Sequence, residues 1–236
     1  VETVERDDVV IVPCYDTYRN LPLKLHLAFA WVLTTNATWA VKCDDDVFVN
    51  GPRLYQVLTS LPRTNAVVGC IKWEHDVDRS GKWAEADFPN HTYPSFPLGS
   101  CGYAVTRDVA RRVASSDRHI YQGEDTSLGI WLHDDLSVMW LSHGAFDNDG
   151  KCGYRSRGIT GHLFTPMGMM DCRVRVLHGD RTVSTKWDTA AVSQVVPTRP
   201  TFVPNMFWNI KRDTRPPKVF MNNGAAFPIL RDRRFS

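Results

Sequence analysis

Residues 40–50 of the chain read Ala-Val-Lys-Cys-Asp-Asp-Asp-Val-Phe-Val-Asn, an apolar stretch that three consecutive carboxylates interrupt. The apolar residues on both sides predict a buried strand that ends at the acids and a second strand-like segment after them. Side chains alternate between the two faces of extended backbone, so Asp44 and Asp46 are expected on one side and Asp45 on the other. We therefore treat Asp44 and Asp46 as a pair.

This carboxylate pair favours a hard divalent cation. Two negative charges on one face repel each other unless a cation lies between them. Oxygen ligands of this kind suit Mn²⁺ or Mg²⁺, and Mg²⁺ commonly takes one or two protein carboxylates together with substrate phosphates. The alternative is a solvated turn that binds nothing, because Asp is a common turn residue. The strand-like flanks weigh against that alternative.

Composition and charge exclude some classes of function. The chain has 236 residues, 28 basic and 26 acidic, with a formal net charge of +2. This balance, with no long basic run, predicts that the protein does not bind nucleic acid. No stretch approaches the ~18 consecutive apolar residues of a membrane helix, and no signal peptide opens the chain. Six cysteines without zinc-site spacing and two glycosylation triplets, Asn36-Ala37-Thr38 and Asn90-His91-Thr92, favour the secretory pathway.

The order of the predicted elements is typical of an α/β domain. A strand, a helix and a strand within about 40 residues predict a βαβ unit with parallel strands. Ligands of such sheets lie beyond the carboxyl ends of the strands, which is where the three acids fall. The predicted elements are strands at 8–13, from Val41, at 66–71 and at 99–105, and helices at 21–33, 54–61, 107–115 and 128–132.

Two further features are candidates for function. Residues 72–98 are too long for a simple connection and are rich in Trp, Pro, Asp and His, and long structured loops usually carry function. Glu124 and Asp125 precede a predicted helix. Acidic residues at a helix N-terminus usually balance its dipole, whereas a catalytic role is the alternative.

Several blocks of the sequence, in this order, resemble the β-1,3-galactosyltransferase family, glycosyltransferase family 31. The resemblance covers roughly residues 5–170, and the first two blocks are the most specific. The blocks are Asp-Thr-Tyr-Arg-Asn-Leu-Pro-Leu-Lys at 16–24, Lys-Cys-Asp-Asp-Asp-Val-Phe-Val-Asn at 42–50, Lys82-Trp83, Tyr93-Pro94, Gly102-Tyr103, Glu-Asp-Thr-Ser-Leu-Gly at 124–129 and Ile-Thr-Gly-His at 159–162.

The resemblance implies a GT-A, Rossmann-like α/β fold with a mostly parallel central sheet over residues 1–180, lacking the family's first strand region. Residues 181–236 are expected to form an irregular, Pro-rich extension. The implied activity is inverting, Mn²⁺-dependent transfer of a hexose, galactose first, from a UDP-sugar to a glycan, forming a β-1,3 linkage. The alternatives are N-acetylglucosamine or N-acetylgalactosamine transfer, or a non-catalytic carbohydrate-binding relative. A Mg²⁺ phosphohydrolase fits the Asp spacing but not the other blocks.

The resemblance also implies roles for individual residues. The cation, Mn²⁺ with Mg²⁺ as the alternative, would be held by Asp46, Asp44 and His162, and Asp125 would be the general base. Donor binding is assigned to Asp44, Asp45 and Lys42. The residues assigned to the acceptor are Trp83, Tyr93, Gly102, Tyr103 and Glu124.

The implied partners are a UDP-sugar donor and a glycan, glycoprotein or glycolipid acceptor. Family members are usually type II membrane proteins of the Golgi lumen. The resemblance therefore implies that any membrane anchor lies upstream of Val1.

Overall fold

The computed structural model describes residues 9–117, 119–146, 158–162, 164–177 and 192–195. Within these ranges a five-stranded sheet has the order β1-β6-β3-β7-β9, and two smaller pairs, β2-β8 and β4-β5, lie outside it. The strands are β1 Trp39–Lys42, β2 Phe48–Val49, β3 Ala66–Gly69, β4 Ile71–Lys72, β5 Phe96–Pro97, β6 Tyr103–Thr106, β7 Met139–His143, β8 Thr160–Gly161 and β9 Val192–Val195. The α-helices are α1 Leu21–Val32, α2 Gly51–Ser60, α3 Arg107–Ala114, α4 Glu124–Leu132 and α5 Pro166–Leu177.

Helices and strands combine as in an α/β domain, which confirms the predicted class. Both faces of the sheet are buried, because alternate residues of one strand enter different cores. Val67 packs with Val105 and with α1, α3 and α4 on one face. Val68 packs with Leu141 and with α2 on the other face. This alternation explains why the strands read as continuous apolar runs rather than as alternating patterns.

The direction of the strands differs from the prediction. Strand β6 lies between β1 and β3 and is antiparallel to both, and β7 pairs with β9 in antiparallel fashion. Among the neighbouring strand pairs of the described main sheet, only β3 and β7 are parallel, although β1 runs in the same direction as both. The mostly parallel sheet was therefore wrong, since a short apolar run predicts a buried strand but not its direction. The GT-A assignment remains a prediction.

The predicted strand at 8–13 is also wrong over its described part. Residues 9–13 form no strand, and Ile11 is 65% exposed. No described strand pairs with this apolar run, so the described residues before α1 do not form the predicted βαβ unit.

Helix α1 is fixed at both ends. Pro22 lies in its first turn, where a missing N–H costs nothing, and Leu25 and Phe29 are buried. At the other end Arg107 of α3 donates to the carbonyl oxygens of Val32 at 3.2 Å and Leu33 at 2.6 Å. A cation at a helix C-terminus satisfies carbonyls that the helix leaves free and complements its dipole.

The segment 181–236, predicted to be irregular, contributes strand β9 to the main sheet, and there the prediction is wrong. The rest of that segment lies outside the described residues, as does part of the predicted domain 1–180, so the domain boundary stays a prediction. Within the described ranges, no helix combines the length and the apolar character that crossing a bilayer requires.

Candidate active site

The three consecutive acids lie in a turn rather than in a strand. Pairing of β1 with β6 ends at Lys42, and the backbone then folds so that the Val47 N–H donates to the Asp44 carbonyl at 3.3 Å. The turn keeps Asp44 and Asp46 half-buried and together, and it leaves Asp45 exposed. The predicted pairing of Asp44 with Asp46 is confirmed, although a turn and not strand alternation produces it.

Strand pairing brings His162 to these acids. Phe48 of β2 lies opposite Gly161 of β8 in an antiparallel pair. His162, which follows Gly161, therefore lies beside the residues that precede Phe48, and these belong to the acidic turn. The Phe164 N–H donates to the Asp46 carbonyl at 2.9 Å and fixes the chain on the far side of His162. As a result, His162 Nε2 lies 3.4 Å from Asp46 Oδ2.

These side chains fit a divalent cation. One ligand atom each of Asp44, Asp46 and His162 can be chosen so that all three lie within 4.8 Å of one another. Ligands about 2.1 Å from an octahedral cation are about 3 to 4 Å apart, and carboxylates with one imidazole suit Mn²⁺. The second ring nitrogen of His162, Nδ1, is buried and has no hydrogen-bond partner among the described residues.

Lys42 joins the acidic turn to helix α4. Its Nζ lies 2.7 Å from Asp44 Oδ1 and 2.5 Å from Glu124 Oε1, and its side chain is 14% exposed. Burial alone would lower the pKa of Lys42, but the Glu124 and Asp44 carboxylates raise it above its ordinary value. Lys42 is therefore charged and occupied by protein carboxylates. This placement does not support the direct donor contact that was predicted for it.

Asp125 lies in the first turn of α4, and backbone groups hold its carboxylate. Oδ2 accepts a hydrogen bond from the Gly99 N–H at 2.8 Å, and Oδ1 accepts one from the Thr126 N–H at 2.7 Å. Burial and the adjacent Glu124 charge raise the pKa of Asp125 to about 6, while the two N–H groups and Lys42 oppose that rise. This carboxylate can accept a proton near neutral pH.

A glycine makes this arrangement fit. A Cβ on Gly99 would lie 2.5 Å from Glu124 Oε1 and 3.1 Å from Asp125 Oδ2. Only a residue without a side chain lets the backbone come this close to both carboxylates.

The sequence analysis did not identify Glu85, which fixes the start of α4. Its buried Oε1 accepts a hydrogen bond from the Gly123 N–H at 3.1 Å and another from the Gln122 N–H. Helix α4 begins after Gly123, which has no side chain to cap it, and Glu85 instead holds the two residues that lead into its first turn. A helix start without a capping residue was the signal that could have pointed to such a partner.

The residues predicted to bind the acceptor fall into different environments. Trp83 is 60% exposed, whereas the rings of Tyr93 and Tyr103 are buried and offer no face to a sugar. Gly102, at φ +68°, shapes the backbone beside Lys42, and Glu124 is occupied by Lys42. The predicted acceptor binding by Tyr93 and Tyr103 is not supported by the position of their rings, because both rings pack in the core. Trp83 remains a candidate.

The site thus combines a three-ligand cation cluster with a proton-accepting carboxylate on a neighbouring element, and a buried lysine links the two. The sequence profile named Galactosyltransferase matches residues 1–139, more than half of the chain. The chain belongs to this galactosyltransferase family. The resemblance noted from the sequence blocks is confirmed.

Relatives of this chain use several sugars, as their names state. The human UDP-GalNAc:beta-1,3-N-acetylgalactosaminyltransferase 2 is 38% identical over 131 residues, which are 53% of this chain and 26% of that protein. A hydroxyproline O-galactosyltransferase of Arabidopsis thaliana is 31% identical over 133 residues, 53% of this chain and 20% of that protein.

A third relative aligns over a longer stretch. The lactosylceramide 1,3-N-acetyl-beta-D-glucosaminyltransferase of Xenopus tropicalis is 30% identical over 177 residues, 69% of this chain and 46% of that protein. The chain spans 26% to 28% of the length of the vertebrate N-acetylgalactosaminyltransferases that it matches.

Proposed function

We propose that this chain belongs to a glycosyltransferase that moves a hexose from a UDP-sugar to a glycan, with inversion, and forms a β-1,3 linkage. The observation that carries this proposal is the joint geometry of the cation cluster and the proton-accepting carboxylate. Asp44, Asp46 and His162 approach one another, Lys42 contacts Asp44 of this cluster, and Asp125 lies on the helix that Lys42 reaches through Glu124. Membership in the galactosyltransferase family supports it.

Asp125 supplies the base that an inverting displacement needs. The acceptor oxygen forms a bond to the anomeric carbon, and the bond from that carbon to the UDP oxygen breaks with its electron pair leaving on UDP. A hydroxyl group is a poor nucleophile, so a carboxylate must take its proton as the new bond forms. Asp125, with its pKa raised to about 6, is ionised at neutral pH and still basic enough for this proton.

Asp44, Asp46 and His162 would hold the cation, Mn²⁺ or Mg²⁺. When bound, the cation neutralises negative charge on the diphosphate of the departing UDP. Asp45, exposed at the tip of the same turn, remains the residue assigned to the donor beside Asp44. Lys42 keeps Asp44 in place from within the protein.

We propose galactose as the transferred sugar and N-acetylgalactosamine as the second candidate. The family description favours the first, and the name of the human relative favours the second. The acceptor is a glycan on a glycoprotein or glycolipid. The disulfide bond of Cys172 supports a place in an oxidising compartment, in line with a Golgi enzyme anchored as a type II membrane protein.

The test is a transfer assay with UDP-galactose and UDP-N-acetylgalactosamine, Mn²⁺ and a panel of methyl β-glycosides. Asp125→Asn is expected to lower transfer by about 10² to 10⁴-fold, the usual contribution of a general base, while UDP binding stays intact. Asp87→Asn, an exposed acid of the long loop, is the control. UDP binding without any transfer by the wild-type protein would instead favour the non-catalytic carbohydrate-binding relative.

A further inference from the structure

Two exposed aromatic rings from distant parts of the sequence meet beside the proposed site. Tyr18, which begins the 3-10 helix Tyr18–Asn20, is 43% exposed, and Trp83 of the long loop is 60% exposed. The Trp83 indole lies close enough to the Tyr18 hydroxyl to act on its pKa, which it lowers against the larger effect of burial. The sequence blocks pointed to Trp83 but gave Tyr18 no role.

Lys82 holds the two rings in a fixed relation. Its Nζ lies 5.2 Å from the centre of the Tyr18 ring and 5.3 Å from the centre of a Trp83 ring. A cation within about 6 Å of an aromatic ring is attracted to the ring face, so one ammonium group contacts both side chains. This shared attraction favours the arrangement in which the two rings lie together.

The same loop is fastened to the start of helix α4. The Lys82 carbonyl accepts a hydrogen bond from Gln122 Nε2 at 2.5 Å, and Glu85 accepts one from the Gly123 N–H at 3.1 Å. Asp125 lies two residues beyond Gly123. Hydrogen bonds therefore connect the loop that carries Trp83 to the segment that carries the proposed base.

Electrostatics agrees with this proximity. Burial raises the pKa of Tyr18, and the charges of Glu124, Asp125 and Asp44 raise it further. The Tyr18 hydroxyl is therefore within electrostatic reach of the proposed base and of a proposed cation ligand.

Exposure argues for an external ligand rather than for core packing. Buried aromatic clusters leave little of their rings in water, whereas Trp83 keeps more than half of its surface accessible although hydrogen bonds hold its segment. A pyranose ring matches such a surface, because it has an apolar C–H face and a rim of hydroxyl groups. The two aromatic rings can pack against the C–H face of the sugar, and the Tyr18 hydroxyl and the Lys82 ammonium group can form polar contacts with its hydroxyl groups.

We propose that Tyr18 and Trp83 form the platform on which the acceptor sugar stacks, with Lys82 as its brace, next to the base Asp125. This inference rests on the proposed function and adds Tyr18 to the residues that bind the acceptor. The acceptor hydroxyl is thus presented to the base by side chains of three segments, at residue 18, at 82–83 and at the start of α4.

Saturation-transfer NMR tests the platform without requiring turnover. The probes are the methyl β-glycosides of galactose, N-acetylglucosamine and N-acetylgalactosamine, with UDP and Mn²⁺ present. At least one glycoside is expected to bind the wild-type protein through its ring C–H protons. Trp83→Ala and Tyr18→Ala are expected to weaken that binding by about tenfold. Tyr55→Ala removes a 71% exposed ring from α2 and is expected to change nothing.

Conservative variants and a donor measurement separate the outcomes. Trp83→Phe and Tyr18→Phe keep a ring and are expected to recover most of the binding that the alanine variants lose. Binding that persists in both alanine variants, or no glycoside binding to the wild-type protein, overturns the platform. Calorimetric UDP–Mn²⁺ binding, run on every variant, is expected to stay unchanged. Its absence from the wild-type protein would contradict the proposed function rather than the platform.

Discussion

The carboxyl group of Asp125 lies in an environment that disfavours its ionised form. Burial and Glu124 raise its pKa to about 6, and only the ionised carboxylate can accept the acceptor proton. The ionised fraction falls as the pH falls through that value, so kcat/KM is expected to drop about tenfold per pH unit below pH 6. A pH–rate profile of transfer measures this. A profile that stays flat down to pH 5 would exclude Asp125 as the base.

Lys42 is the residue whose loss should affect both halves of the site. Lys42→Met leaves the Glu124 and Asp44 carboxylates without their shared cation, so we expect the free energy of unfolding to fall by about 3 kcal/mol. The Lys42 charge also lowers the pKa of Asp125, so the acidic limb of the pH–rate profile should move to higher pH.

The matched control for this variant is Lys24→Met. Lys24 pairs with Asp16 at 2.9 Å on the surface, and exposed pairs contribute at most about 1 kcal/mol. Urea denaturation of both variants gives the comparison. Equal losses of stability would mean that Lys42 acts as an ordinary surface charge.

At the residue scale, local spacing predicted the pairing of Asp44 with Asp46, while the roles of His162 and Asp125 came from the family blocks. The contacts of Lys42 with Glu124, and of Glu85 with Gly123, join positions 82 and 38 residues apart. Such contacts depend on the tertiary fold, so no local sequence pattern predicts them.

Glu85 of the long loop holds the two residues that lead into helix α4. Glu85→Ala removes the acceptor of the Gln122 and Gly123 N–H groups, so the start of the helix should loosen and the free energy of unfolding should fall by about 1 to 3 kcal/mol. Transfer should fall as well, since Asp125 lies in that first turn. Urea denaturation and the transfer assay measure the two effects.

Glu85→Gln separates the effect of the hydrogen bonds of Glu85 from the effect of its negative charge. The amide oxygen of Gln can accept the same two N–H groups, so this variant should recover most of the stability. Asp87→Ala, an exposed acid two residues further on, should behave like the wild-type protein. A Gln variant as unstable as the Ala variant would show that the negative charge, and not the hydrogen bonds, stabilises α4.

Among whole elements, helices were easier to predict than sheet directions. The periodicity around Leu25 and Phe29 belongs to α1 itself, and Pro22 marks its start. The direction of β6 instead depends on residues 70–102, where β4, β5 and the long loop reverse the chain before it enters the sheet. The apolar run at 8–13 matched a strand pattern, but a strand requires a partner that the run itself does not encode.

The complete site exists only in the folded molecule, because its parts lie on the acidic turn, on α4 and after β8. A ligand that binds only the folded state stabilises it, by about 2.7 kcal/mol at a hundred times its dissociation constant. UDP with Mn²⁺ should therefore raise Tm, and Asp46→Asn, which removes one proposed ligand of the cation cluster, should abolish the rise. Differential scanning calorimetry measures this.

The control for that measurement is Asp87→Asn, which removes an acid outside the cluster and should keep the full rise. A rise that survives in Asp46→Asn would place the cation elsewhere. A rise with UDP alone would contradict a metal-dependent donor site.

The pairing of β1 with β6 also bears on how the protein folds as it is synthesised. Lys42 and its strand partner Tyr103 are roughly 60 residues apart, which a ribosome adding about 5 to 20 residues per second covers in about 3 to 12 seconds. During that interval β1 has emerged without the neighbour that it pairs with in the sheet. Until Tyr103 emerges, the backbone groups of β1 beside the acidic turn have no strand partner, and unpaired strand edges of this kind make a nascent chain prone to aggregation.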